Sequence, residues 1–182
     1  MSKEQGYVCR CCGEHHAELP LAYGMEAPAY WSDELAADPL SALEQELCTI
    51  KSESFFIRGL IEIPVVDTGE TFVWNVWTSL SKDNFARTVE RWDDPARESQ
   101  PPYFGWLSSE LPAYAEPTLN LKTNLHTRPV GHRPLIELEP TGHPLAVEQR
   151  EGITRARVRE IAELLLHGRA GQPDCPLSRR PG

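Results

Sequence analysis

Apolar and polar residues alternate most regularly between residues 54 and 80. Phe55, Ile57, Ile61, Ile63 and Val65 recur at a period of two, with Gly59 in the same row. This period places them on one face of a β-strand over 54–66. A second run, 71–80, is rich in Val, Trp and Phe, and Asp67-Thr68-Gly69-Glu70 joins the two. The pattern predicts an antiparallel hairpin.

Residues 118–128 alternate again, and a short aromatic strand is predicted at 103–107. One face of 118–128 is apolar, and the other carries Asn120, Lys122, Asn124, His126 and Arg128. If the strand predicted at 135–139 pairs with it, Glu137 and Glu139 join the polar face. We interpret that face as solvated, with cross-strand ion pairs. A ligand groove with His126 as acid or base and Arg128 as an anion clamp stays an alternative.

Apolar residues at helical spacing predict four helices. The first begins at Pro39 after Asp38, the second follows Ser81, the third begins at Pro144, and the last follows Thr154 and ends near His167. Strands joined by short links and interspersed with helices are typical of an α+β fold, here with an antiparallel sheet and packed helices.

The chain of 182 residues is expected to form a single domain over residues 1–167. Residues 168–182 are rich in Pro and Gly and are predicted to be a disordered tail. No stretch of eighteen residues lacks charge and no secretory signal precedes residue 8, so we predict a cytoplasmic protein without a membrane span. The oligomeric state stays open.

The net charge indicates a class of partner, and the cysteine count indicates a redox compartment. A net charge of −9 argues against nucleic acid and favours a basic protein partner. The five cysteines are an odd number, as expected in a reducing compartment rather than in a disulfide framework.

Three cysteines cluster near the N-terminus. Cys9 and Cys12 have the Cys-x-x-Cys spacing that lets two thiolates hold one Zn²⁺ from a turn, and Gly13 permits the bend. His16 completes a knuckle-like spacing, and Cys48, delivered by the helix after Pro39, is predicted as the fourth ligand. Residues 7–48 would then be a zinc-binding segment with structural Zn²⁺. Cys11 is predicted to point away from the ion.

Three functions stay open. The first is a zinc-stabilised binding or adaptor module without catalytic activity. The second is a metal-dependent hydrolase with an open zinc position and His15 or His16 as third ligand. The third is a domain defined by its fold alone, with idle thiols. No catalytic residue is assigned, because the common phosphate-loop and hydrolase motifs do not occur in the sequence. Arg58, inside the most apolar strand, is expected to pair with a carboxylate.

Several long motifs together resemble an uncharacterised bacterial family, domain of unknown function 2199. They are the turn Cys9–His16, Cys48, and the runs Phe55–Gly59, Phe72–Ser81, Pro102–Leu107, Leu119–Thr123 and Leu135–Pro140. The resemblance covers about residues 7–167. It implies a bacterial source and a single domain, and it brings no activity, substrate or catalytic residue.

Overall fold

Ten β-strands and three α-helices make up residues 6–168, the part of the chain that the computed structural model describes. The strands are β1 (Tyr7–Val8), β2 (His15–His16), β3 (Ala22–Gly24), β4 (Ala42–Leu43), β5 (Leu47–Ile50), β6 (Ser54–Val65), β7 (Glu70–Leu80), β8 (Tyr103–Trp106), β9 (Lys122–His126) and β10 (Leu135–Leu138). The helices are α1 (Lys82–Glu90), α2 (Pro144–Glu151) and α3 (Arg155–His167), and short 3₁₀ turns occupy Asp33–Ala37 and Arg97–Ser99. Except for Gly168, the predicted tail lies outside the described residues.

The predicted hairpin forms the centre of the molecule. β6 and β7 pair antiparallel through eleven residue pairs, from Phe55 opposite Leu80 to Val65 opposite Glu70. Their shared inner face packs against α2, α3 and the segment 107–114 in one large core cluster. The α+β interpretation is therefore confirmed in its coarse form.

The sheet is mixed rather than purely antiparallel. Its order is β3-β7-β6-β10-β9-β8, with β4 and β5 added at one end of β6. β3 runs parallel to β7, and β10 runs parallel to β6, because long connections bring both strands to their neighbours. The other pairings between named strands are antiparallel.

The sheet also curls until β8 meets β7. The Ser108 amide donates to the Trp77 carbonyl at 2.8 Å, and the hydroxyls of Thr78 and Thr123 lie 2.7 Å apart in the interior. Gly105 makes this approach feasible, because a Cβ there would collide with the Ser79 carbonyl and the Thr78 side chain. The closing contact hides much of the edge that β8 would otherwise expose.

The prediction of a helix after Pro39 is wrong. The segment is extended instead, and β4 and β5 form a small hairpin whose second strand pairs with β6. Asp38 Oδ1 accepts from the Leu40 amide in a turn rather than a helix. Leu40 is 59 % exposed, so the helical leucine spacing corresponds to no buried stripe. Pairing with a long neighbouring strand outweighed the local pattern.

The other three helices occur as predicted. Ser81 Oγ accepts from the Asn84 amide and Thr154 Oγ1 from the Arg157 amide, so both residues cap helices. α2 begins at Pro144, and Val158 and Ile161 of α3 are fully buried. Among residues 6–168, none of the helices has the length and apolar character needed to cross a bilayer.

Candidate metal centre

The candidate centre lies on a two-stranded ribbon at the N-terminus. β1 pairs antiparallel with β2, and residues 9–14 make the turn between them. The Cys9 amide donates to the Glu14 carbonyl, and the Gly13 amide donates to the Cys9 carbonyl, each at 2.9 Å. Gly13 has φ of 73°, a left-handed conformation that a side chain would strain. The glycine after the second cysteine therefore sets the bend, as the sequence indicated.

The turn brings three of the predicted ligands together. Cys9 Sγ, Cys12 Sγ and a ring nitrogen of His16 lie within 4.8 Å of one another, and His16 Nε2 is 3.8 Å from Cys12 Sγ. In a tetrahedral zinc shell, a sulfur and a nitrogen ligand lie about 3.5 Å apart. These side chains are thus close to coordination distance. His15 belongs to neither ligand group found among the described residues.

A second group shares the sulfur of Cys9. It consists of Cys9, Cys11 and His167, again within 4.8 Å, and His167 Nε2 is 3.0 Å from Cys9 Sγ. His167 ends α3, and the sequence suggested only a helix-terminal role for it. Cys11 differs from expectation as well, since its sulfur is near those atoms instead of pointing away. It is also disulfide-bonded, contrary to the reduced state that the odd number of cysteines indicated.

Cys48, the predicted fourth ligand, belongs to neither of these ligand groups. It is fully buried in a separate cluster with Phe56 and Trp77, on a strand instead of at a helix end. Burial raises the pKa of its thiol to about 11, which disfavours the thiolate that a metal requires. The structure therefore does not bring Cys48 to Cys9, Cys12 and His16, and the reason is that the helix expected to deliver it does not form.

A buried ion pair fixes the turn to α3. Glu163 is fully buried, and its carboxylate accepts from the Arg10 amide and from the Arg10 guanidinium, all at 2.8 Å. Cys9 itself is 1 % exposed and packs against Tyr7 and Ala162. Sequence reasoning did not identify Glu163, although a lone acidic residue within the apolar run of α3 was an available signal.

The polar face of the sheet matches the solvated interpretation. His126 Nε2 lies 2.7 Å from Glu137 Oε2, and Arg128 donates to Glu62 at 2.7 Å. The same ion pair lowers the pKa of Glu62 and raises that of Arg128. Asn120 has φ of 64° and precedes β9, so the regular alternation begins only after it.

On the same outer side of the sheet lies an open groove of about 710 Å³. Arg133 crosses it, holding both oxygens of Glu46 and donating to Asn75 Oδ1 at 2.7 Å. Trp92 and Asp93 line one wall. The groove therefore combines apolar surface with polar groups, as ligand sites do.

Within residues 6–168, Arg58 does not pair with a carboxylate as expected. Its guanidinium donates to the backbone carbonyls of Met25 and Gln45 and lies 5.7 Å from the centre of the Trp77 ring. Desolvation lowers its pKa, and the charge of Arg133 adds to that shift. Arg58 thus holds the loops around Met25 and Gln45 against the sheet.

The fold and the cysteine–histidine cluster define an α+β protein with a candidate metal centre between its N-terminal turn and its last helix. The chain belongs to DUF2199, a family described as an uncharacterized protein conserved in bacteria, whose model matches residues 8–153. No curated protein and no solved structure matches the chain. His167 and Glu163 lie beyond the matched residues.

Proposed function

We propose that this protein is a zinc-stabilised binding module in which Zn²⁺ has a structural role. The observation that carries the proposal is the convergence of Cys9, Cys12 and His16 within 4.8 Å on one short ribbon. Two thiolates and an imidazole are ligands that zinc favours. The ion would organise a ribbon too small to be stable alone, since two-residue strands bury little surface.

The surroundings of Cys9 favour a structural over a catalytic ion. Its sulfur is almost fully buried, and the Cys11 amide donates to it at 3.4 Å. When such a site forms only in the folded chain, the free energy of metal binding contributes to folding.

The groove supplies the binding part of the proposal. Its volume suits a peptide side chain or a small ligand. Of its two lining carboxylates, Glu46 is already held by Arg133, so Asp93 is the one offered to a ligand. Together with the net charge of −9, this favours a partner that presents Lys or Arg.

Metal analysis tests the zinc part. Protein purified without chelator is expected to carry about one Zn²⁺ per chain, and the double variant Cys9→Ser/Cys12→Ser is expected to carry almost none. Cys48→Ser is the matched control, because it removes a buried thiol outside the cluster, and it should keep the ion. Zinc below about 0.2 equivalents in the wild type would contradict the proposal and favour a fold with idle thiols.

A peptide titration tests the binding part. An arginine-rich peptide added to the isotope-labelled protein is expected to shift the amide resonances around the groove, and Asp93→Asn should weaken that response. Asp83→Asn, on α1 and outside the groove lining, removes the same charge and is the control. Shifts that avoid the groove, or that respond equally to both variants, would reject the groove as the binding surface.

A second candidate function is a metal-dependent hydrolase. The observation in its favour is that Cys12 lies at the surface, so a three-ligand site there would leave room for water as the fourth ligand. This candidate predicts zinc-dependent hydrolysis of an activated ester and a cobalt spectrum that changes as bound water ionises. A spectrum that does not change with pH over the folded range would exclude it.

A further inference from the structure

We propose that His167 is the fourth ligand of the zinc ion, so that the metal joins the N-terminal turn to the C-terminal end of α3. The inference rests on the proposed zinc site and identifies how that site is closed. Its basis is that Cys9 Sγ belongs to both ligand groups and contacts His167 Nε2 directly.

The shared sulfur limits where an ion can bind. An ion held by Cys9, Cys12 and His16 lies beside Cys9 Sγ, and the imidazole of His167 is already 3.0 Å from that atom. A tetrahedral shell needs a separation of about 3.5 Å between these two ligand atoms. The ring therefore has to withdraw slightly from Cys9 Sγ and turn towards Cys12 and His16, with which it does not yet share one group within 4.8 Å, and rotation about its two side-chain bonds allows both movements.

The position of α3 is independently fixed. Glu163 lies one helical turn before His167. Its carboxylate accepts hydrogen bonds from the amide and the guanidinium of Arg10, the residue next to Cys9. Residues four apart share a helix face, so the same face presents the carboxylate to Arg10 and the imidazole to Cys9. The contact between His167 and Cys9 is thus part of a docked interface and not an isolated approach.

Cys11 Sγ belongs to the same group as His167, but Cys11 is disulfide-bonded, so it competes as a ligand only after reduction. The direct contact favours His167, since its Nε2 atom already touches the sulfur shared by both groups. A closed site with His167 has two thiolates and two imidazoles, whereas a site closed by Cys11 has three thiolates and one imidazole.

The first measurement uses the wild-type chain with Co²⁺ in place of zinc. The intensity of the thiolate-to-cobalt charge-transfer band counts the coordinated thiolates, and two are expected. Three thiolates would overturn the assignment in favour of Cys11. This measurement needs no variant and so does not depend on the folding of one.

The second measurement compares zinc affinities by competition with a chromophoric chelator. His167→Ala is expected to weaken binding at least tenfold, since it removes a direct ligand, and free imidazole is expected to restore part of the loss. His126→Ala is the control, because it removes an imidazole that pairs with Glu137 on the distant sheet face. Cys11→Ser is expected to match the wild type.

The outcomes separate the two proposals. No zinc in the wild type refutes the proposed zinc-stabilised module itself. Zinc bound with unchanged affinity in His167→Ala, or zinc lost in Cys11→Ser alone, refutes only the role of His167. Should His167→Ala be too unstable to purify, the thiolate count in the wild type decides between His167 and Cys11.

Discussion

At the scale of single residues, the buried ionisable groups of Cys48 and Glu163 differ in how they are accommodated. Cys48 stays neutral within apolar side chains, and Glu163 is fully buried against an arginine whose side chain is 46 % exposed. Only a buried charge without a partner is strongly destabilising. Removing Arg10 from its ion pair with Glu163 should therefore destabilise the protein more than neutralising both partners.

Arg10→Ala is predicted to lower the free energy of unfolding by about 3 kcal/mol, because it leaves the Glu163 carboxylate buried with one backbone donor. Adding Glu163→Gln to that variant should recover part of the loss. Urea unfolding measures both. Arg91→Ala is the control: its pair with Asp94 is solvent-exposed and contributes less than about 0.5 kcal/mol. Equal losses for the two arginine variants would contradict the buried pair.

Cys48 is predicted to resist alkylation in the folded protein at pH 8, because burial raises the pKa of its thiol from 9.0 to about 11. In the unfolded chain this thiol ionises first, so the free energy of unfolding decreases as pH rises from about 9 to 11. Mass spectrometry after alkylation with and without urea locates the protected thiol. Rapid labelling of Cys48 under native conditions would show that the prediction is wrong.

At the scale of elements, the hydrophobic pattern predicted a strand or helix correctly where its apolar residues are buried in the structure. The β6–β7 hairpin was predictable because its alternating residues do line the core, and α3 because Val158 and Ile161 are buried. The segment after Pro39 has the same quality of helical pattern, yet Leu40 is exposed and β5 pairs with β6. A local period cannot reveal that a distant strand will offer hydrogen bonds.

Gly105→Ala is predicted to destabilise the protein by about 1–3 kcal/mol, because the added Cβ would force β8 away from β7 at the point where the sheet closes. Thermal unfolding by circular dichroism gives the comparison. Gly142→Ala is the matched control, since a Cβ at Gly142 meets no atom within 4 Å. A melting temperature for Gly105→Ala as high as that of the control would mean that the closing contact is not tight.

At the scale of the whole molecule, the sequence alone predicted only the part of the metal site whose residues are close together along the chain. Cys9, Cys12, Gly13 and His16 were recognisable because their spacing is itself the signal. Arg10 and Glu163 are 153 residues apart, and Cys9 and His167 are 158 apart. Nothing in either segment indicates the other, because that proximity is created by the sheet and helices between them.

Zinc is predicted to stabilise the folded state by mass action. Raising free Zn²⁺ to about one hundred times its dissociation constant should add about 2.7 kcal/mol to the free energy of unfolding, and a chelator should remove that gain. Unfolding followed in a series of zinc buffers tests this. The Cys9→Ser/Cys12→Ser variant should unfold at the same temperature throughout. If it responded as the wild type does, zinc would be acting at another place.

The separation of 158 residues between Cys9 and His167 also has a consequence in time. A ribosome that adds roughly 5–20 residues per second needs about 8–30 s to reach the second residue after making the first. For that interval, the N-terminal turn exists without the helix that covers it. α3 can therefore dock only after residue 167 has been synthesised, and until then the thiols of the turn meet the metals and oxidants around the nascent chain.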